Sequence, residues 1–161
     1  MAPVSSRRLL AAMSTVVVLL MVAGAISFVR YTRSHAPDPH LVAVAPFDIF
    51  VTGLEQWRVR LAVGLTSAIE PPLSAVSQDV VRERWQAQAR PEIGALDLAR
   101  RTSATRGLYG RLDTIPGSSD SVRARMIVID AGTGHVQLLF DRAWPVAKLD
   151  SLPQALAARV R

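Results

Sequence analysis

Between Leu9 and Val29 the chain runs 21 residues without a charge, "LLAAMSTVVVLLMVAGAISFV". As an α-helix that stretch covers ~32 Å at ~1.5 Å per residue, against a bilayer core of ~30 Å. A helix apolar on every side for this length has no face to offer water, so it belongs in lipid. Arg7 and Arg8 close one end, and Arg30 and Arg33 close the other. Tyr31 stands where an interfacial aromatic would, and is a candidate docking residue. Residues 9–29 therefore read as a transmembrane helix behind a short N-terminus, residues 1–8. The rival reading is a secretory signal cut at Ala23-Gly24-Ala25, which would release the remainder after Ala25. The apolar run continues through Ile26, Phe28 and Val29, which favours an uncleaved anchor. "SSRRLLAA" shares only its arginine pair with a twin-arginine signal.

Charge does not orient the anchor, because two arginines flank it on each side and the positive-inside rule returns a tie. Nor does the formal net charge of +6 point to nucleic acid. The anchor's flanks supply half of it, and residues 41–161 hold 15 basic against 12 acidic residues. Those cations are dispersed and accompany no basic, aromatic-rich motif, so they read as a solvated surface with some attraction for anionic headgroups. The chain has no cysteine, which removes disulfides, thiolate nucleophiles and zinc–thiolate sites together.

Residues 30–40, with Pro37, Pro39, His35 and His40, read as an extended linker. The remainder, 41–161, is long enough for one core. "LVAVAPF" predicts a buried strand ending at Pro46. Trp57, Leu61, Leu65, Ala68 and Ile69 recur at helical spacing until Pro71-Pro72. A short strand over 73–77 leads to a helix over 79–89, with Asp79 as N-cap and Val81 and Trp85 sharing a face. A further helix over 92–101 turns Leu96 and Ala99 inward. Three strands follow, joined by turns at Pro116-Gly117-Ser118-Ser119 and Gly132-Thr133-Gly134. In the middle one Val122, Ala124, Met126 and Val128 share a face. Arg123 and Arg125 share the other with Ile127 and Ile129, so that face starts wet and ends covered. Asp150 caps a last helix reaching Val160, with Leu152, Leu156 and Val160 inward. This order predicts an α/β domain of two layers on a mixed sheet of about five strands.

The best candidate for chemistry is "IVIDAGTGHVQLLF", because a strand, an Asp and a Gly-Thr-Gly turn can present amides to a phosphate. A phosphate grip also needs a second lobe, and usually a second glycine-rich loop; neither is present. "GTGH" lacks the Gly-Lys-Ser/Thr ending of a P-loop. A tight hairpin turn using positive φ at Gly132 and Gly134 accounts for the glycines. His35, His40 and His135 have no ligand partner at metal-binding spacing, and no Gly-x-Ser-x-Gly elbow is present. Asp79 and Glu83 lie on one exposed helix face, where Arg82 and Arg84 are their natural partners. "ARRTSA" ends a helix whose dipole favours the arginines. Trp57 and Trp85 fall on core stripes, and Trp144 is either a core rim or a docking residue. No catalytic, cofactor or metal residue is expected.

Four segments in order resemble the TolB N-terminal-like domains, relatives of the flagellar FlgO-type domains. They are "LVAVAPF", "ALDLARRTSATRGLYGRL", "SVRARMIVIDAGTGHVQLLFDR" and "AKLDSLPQALAARV", and the similarity covers roughly residues 41–161. The polar loop usual in that family is missing over 48–55. The resemblance implies a bacterial domain held outside the cytoplasmic membrane by a single helix, with its N-terminus cytoplasmic and no catalytic residues. The function expected is a non-enzymatic, single-pass inner-membrane protein whose periplasmic domain acts by protein contact. Its partners would be the bilayer, through residues 9–29, and other membrane-protein subunits. Energy-converting assemblies, photosynthetic reaction-centre and light-harvesting complexes included, are of the type that recruits such subunits. The alternative is a periplasmic sensor or ligand-binding module, or the version secreted after Ala25.

Overall fold

A computed structural model describes residues 37–160. The expected anchor and Tyr31 lie outside them, and no helix among the described residues is long and apolar enough to cross a membrane. Contacts mark off Pro37–Arg161 as one compact unit.

The chain begins with β1 (Asp38–Val44), three residues inside the segment read as linker. Next come β2 (Asp48–Phe50), α1 (Trp57–Ala68), β3 (Ser74–Ala75), α2 (Gln78–Arg84) and α3 (Pro91–Arg101). The second half is the meander β4 (Ala104–Thr114), β5 (Ser121–Asp130) and β6 (Val136–Pro145). A 3₁₀ turn (Val146–Ser151) and α4 (Leu152–Ala157) close the domain. One six-stranded sheet in the order β3-β1-β4-β5-β6 holds it together, with β2 also pairing with β4. Strands β1, β2 and β3 join in parallel, and β4, β5 and β6 pair antiparallel. The sheet is therefore mixed, with one strand more than the sequence pattern predicts. The extra strand is β2, whose three residues are too few to show alternation.

The predicted two layers give way to a sheet with helices on both faces. Residues 42–45 are all fully buried, and they alternate in where they point. Val42 and Val44 join the cluster of Leu61, Leu65, Leu108, Met126, Leu152 and Leu156, under α1 and α4. Ala43 and Ala45 join the opposite cluster of Val81, Leu98, Ala99 and Ile129, under α2 and α3. An uninterrupted apolar strand is what a doubly covered sheet requires.

Several ends differ from the sequence reading. Ser77, not Asp79, takes the N-cap position of α2, and the helix stops at Arg84 rather than near residue 89. Trp85 leaves it extended and lays its ring where a side chain on Gly94 would stand, 3.0 Å from a Cβ built there. Pro91 opens α3 with Glu92 in the first turn and Arg100 and Arg101 in the last, the charge order a helix dipole favours. The last helix is shorter than predicted at both ends: residues 146–151 wind as 3₁₀, and it stops at Ala157, with 158–160 a turn. Asp150 makes no cap bond and instead accepts from Arg60 at 3.0 Å. The predicted inward face still holds: Leu152, Leu156 and Val160 are all buried.

Two of the segments that carry the family resemblance meet in the core. Phe47, ending "LVAVAPF", packs against Gly110 of "LYGRL", where a Cβ would come within 2.2 Å of its ring. One position on, the Tyr109 hydroxyl donates to Asp48 at 2.8 Å.

Candidate functional site

The strands of the meander are longer than the helix that covers them. α3 lies tightly over the start of β4, where a Cβ on Gly107 would stand 2.5 Å from the Ala95 carbonyl oxygen. Past Tyr109 the same face carries no buried hydrophobic residue, and its side chains reach solvent. Register sets what is displayed there. Arg111 lies opposite Arg125, which lies opposite Asp141, and Asp113 lies opposite Arg123. Between the Met126–Phe140 and Ile127–Leu138 pairs, β6 carries one extra residue, Leu139. This bulge puts Leu138 and Asp141 on one face although they are three apart in sequence. Leu138 and Phe50 are the most exposed large apolar side chains among the described residues, at 57% and 58%.

The charges between these two apolar residues are pinned. Arg111 forks onto both carboxylate oxygens of Asp113, with the Nε bond at 2.8 Å, and its guanidinium sits 5.1 Å from the Phe50 ring. Arg123 donates to both oxygens of Asp141 at 2.6 and 2.8 Å, and Arg125 adds a third bond at 3.1 Å. Bidentate pairs of this kind fix the plane of the guanidinium as well as its position. Glu92, Tyr109, Arg125, Ile127, Leu138 and Asp141 border a shallow groove of about 340 Å³.

Each titration shift on this face moves a pKa further from neutral pH. Burial, then the bond to Asp48, pushes the Tyr109 hydroxyl well above its ordinary value. The bond to Asp113 raises Arg111, and the bond to Asp141 raises Arg123. The Arg123 bond, partly opposed by desolvation, holds the Asp141 carboxyl below the usual range. General acid–base work requires a group that titrates near the working pH. These groups supply fixed charges, donors and two apolar contacts.

The Gly-Thr-Gly segment joins β5 to β6 as a hairpin turn. Thr133 donates its N–H and hydroxyl to Asp130 Oδ1 at 2.7 and 2.8 Å, and these bonds lower the Asp130 pKa. The Gly134 N–H goes to the Asp130 carbonyl at 2.8 Å, and that of His135 to Thr133 Oγ1 at 3.2 Å. Three amides that a phosphate grip would present are thus used inside the turn. Gly134 alone takes the predicted positive φ, +73°; Gly132 does not.

Trp144 is half-buried at the rim of the α1/α4 cluster. Its indole N–H donates to the Lys148 carbonyl at 2.9 Å, and its ring meets Phe140 edge-on at 6.0 Å. Tyr31 and His35 lie outside the described residues, and His40 and His135 are exposed and far from the charged rows in register. Asp79 pairs with Arg82 at 3.8 Å, whereas Arg84 turns to the Arg101 carbonyl. In "ARRTSA" the Thr102 hydroxyl is buried and donates to Leu98 O at 2.8 Å. Among the described residues no cluster of three His, Asp or Glu side chains is placed to hold a metal ion. Arg111, Asp113 and Asp141 were not picked out from sequence. The signal available was R-x-D and R-x-R at strand spacing, with the arginines of the second already placed on the wet face.

No family model matches the chain, and no curated protein does. Its fold is similar to several solved structures at low identity. TolB from Acinetobacter baumannii aligns at 13% identity and a TM-score of 0.49, over 78% of this chain and 28% of TolB. The LpoB C-terminal domain from Salmonella enterica aligns at 15% identity and a TM-score of 0.45, over 69% of this chain and 84% of that domain. The lipoprotein GNA1162 from Neisseria meningitidis aligns at 18% identity and a TM-score of 0.46, over 76% of this chain and 96% of that one. The chain thus matches less than a third of the length of TolB.

Proposed function

We propose that the chain is a non-enzymatic, single-pass protein of the bacterial inner membrane whose periplasmic domain binds another membrane-protein subunit. The anchor rests on residues 9–29 and the side of the membrane on the resemblance. The observation that carries the contact function is the uncovered sheet face, where Phe50 and Leu138 flank pinned Arg–Asp rows. Exposed apolar side chains set among ordered charges are the composition of a protein interface. The rows carry both signs, so they suit a partner surface with complementary carboxylates and cations rather than a polyanion.

The test uses the full chain in native membranes solubilised with mild detergent. The parent migrates with a large complex. Leu138→Asp puts a third carboxylate beside Asp141 and Glu92, and migrates alone while remaining membrane-bound and folded by tryptophan fluorescence. A parent that migrates alone refutes the subunit reading. Protease added to intact spheroplasts checks the topology separately: cleavage of the domain is expected, and protection would refute a periplasmic placement.

A further inference from the structure

Several arginines gather at the end of the domain where the chain enters it. The chain enters at Pro37, and Asp38 bonds through its N–H to the Ser103 carbonyl at 2.8 Å, placing the end of α3 and the start of β4 beside the entry point. The Ala131 N–H reaches the Thr105 carbonyl at 2.8 Å, which brings the β5–β6 turn to the same end. Arg100 donates to Ala131 O at 2.9 Å, Arg84 donates to Arg101 O, and Arg106 stands opposite Asp130. Arg159 follows α4 and shares with Arg106 and His135 a depression of about 400 Å³ floored by Val128 and Val160. Five arginines thus gather at the entry end. Four acids lie among them, one fewer than the arginines: Asp97 pairs with Arg101, Asp130 accepts from Thr133, Asp38 accepts from the His40 N–H, and Glu70 borders a shallow depression with Ala158. The side chains of Arg106 and Arg159 make no hydrogen bond or ion pair among the described residues; that of Arg106 adds only a weak pull on Asp130. At the opposite end, the loops over residues 51–55 and 115–120 carry Glu55 and Asp120 and neither lysine nor arginine, with Lys148 following in the 3₁₀ turn.

We propose that this entry end, through Arg106, Arg159 and the arginines closing α3, rests on an anionic lipid surface. The proposal depends on the anchor reading above. Seven residues, 30–36, separate Val29 from Pro37, and they reach at most ~25 Å even when extended. β4 alone is longer, at ~36 Å for its 11 residues. The linker's length keeps the entry end within reach of the headgroups, where guanidinium groups pair with phosphodiester oxygens and the attraction acts within ~8 Å at physiological salt.

The chain's lack of cysteine makes the test direct. The full chain carries one fluorophore, at Ala158→Cys or at Ser118→Cys, and is reconstituted in phosphatidylcholine vesicles with or without phosphatidylglycerol. A headgroup-attached quencher reports proximity. Quenching at position 158 is expected to exceed that at 118 at least ~2-fold in phosphatidylglycerol vesicles, and to fall in ~0.5 M salt. It should also fall in the Arg106→Gln/Arg159→Gln variant, whose fold is checked by tryptophan fluorescence. Equal quenching at both positions, or none that depends on phosphatidylglycerol, overturns the proposal. So does a response of the 158 label to inorganic phosphate without any to vesicles, which would assign the depression to a free anion. Loss of the chain from vesicles in an alkaline wash overturns the anchor and this proposal with it; retention with equal quenching overturns this proposal alone.

Discussion

Replacing Gly110 by Ala tests how the core is locked. A Cβ at Gly110 would lie 2.2, 2.5 and 2.6 Å from three carbons of the Phe47 ring, well inside the 3.4 Å at which ordinary contact begins. The ring is 1% exposed and belongs to the larger core cluster, so it has no solvent to swing into. If the core shifts and keeps the ring, the cost is that of overpacking, about 1–3 kcal/mol. Expelling the ring instead costs about 3–5 kcal/mol, as for truncating a buried Phe. Restricting the unfolded chain returns about 0.4–1 kcal/mol. Taken at the middle of each range, the net loss is therefore about 1.3–3.3 kcal/mol. Urea unfolding of the detergent-solubilised full chain, followed by tryptophan emission, measures it, since all three tryptophans lie in the described domain. Phe47→Leu removes the two ring carbons nearest that Cβ, Cε1 and Cζ, so the double variant should be more stable than the sum of the single effects by about 0.5–3 kcal/mol. Gly110→Ala within about 0.5 kcal/mol of the parent, which is the range of an unremarkable surface change, would refute this packing. Strictly additive single effects would refute it equally.

Asp130→Ala removes the acceptor for both Thr133 bonds, and is expected to lower the melting temperature by a few degrees at neutral pH. Those bonds depress the Asp130 pKa, so the stability they add is complete above the ordinary aspartate value of 3.8 and is lost as pH falls through the lower folded value. The gap between parent and variant should stay constant above about pH 5 and close below about pH 4; a gap that widens in acid would contradict the assignment. Asp141→Ala leaves Arg123 and Arg125 side by side without their acceptor, and should cost about 1 kcal/mol or less at low salt, as for exposed pairs. Urea midpoints at ~0.5 M salt should show most of that loss gone, and a salt-independent loss would mean that Asp141 acts through packing.

The meander was legible because each strand alternates and each turn carries glycine or proline, and the wet-to-covered drift of β5 is present: Arg123 is exposed, Arg125 and Ile127 are half-buried, and Ile129 is buried. The same drift, taken with the fully apolar residues 42–45, already implied helices on both faces, one of them covering only part of the sheet. The two-layer expectation overlooked that implication. Other features left no local trace. β2 is too short to alternate. The early end of α2 depends on Trp85 finding space over Gly94, a contact between separate elements. Asp150 prefers Arg60, 90 residues away, to the cap its spacing suggested. The charged rows needed register to be seen, because Asp113, Arg125 and Asp141 become neighbours only once three strands are aligned.

The extra residue in β6 bears on which changes of length the strand can absorb. Pairing has period two, so removing a residue from a regular strand inverts every side chain beyond the gap. Leu139 is the exception. Taking it out would turn two-against-one into one-against-one, with Leu138 still beside Ile127, Phe140 beside Met126 and Asp141 beside Arg125. Only the partly buried contacts of Leu139 itself would be lost. A missing codon at that position shortens the protein and leaves its outer face intact. A missing codon at Gln137 or Arg142 would turn part of that face inside out.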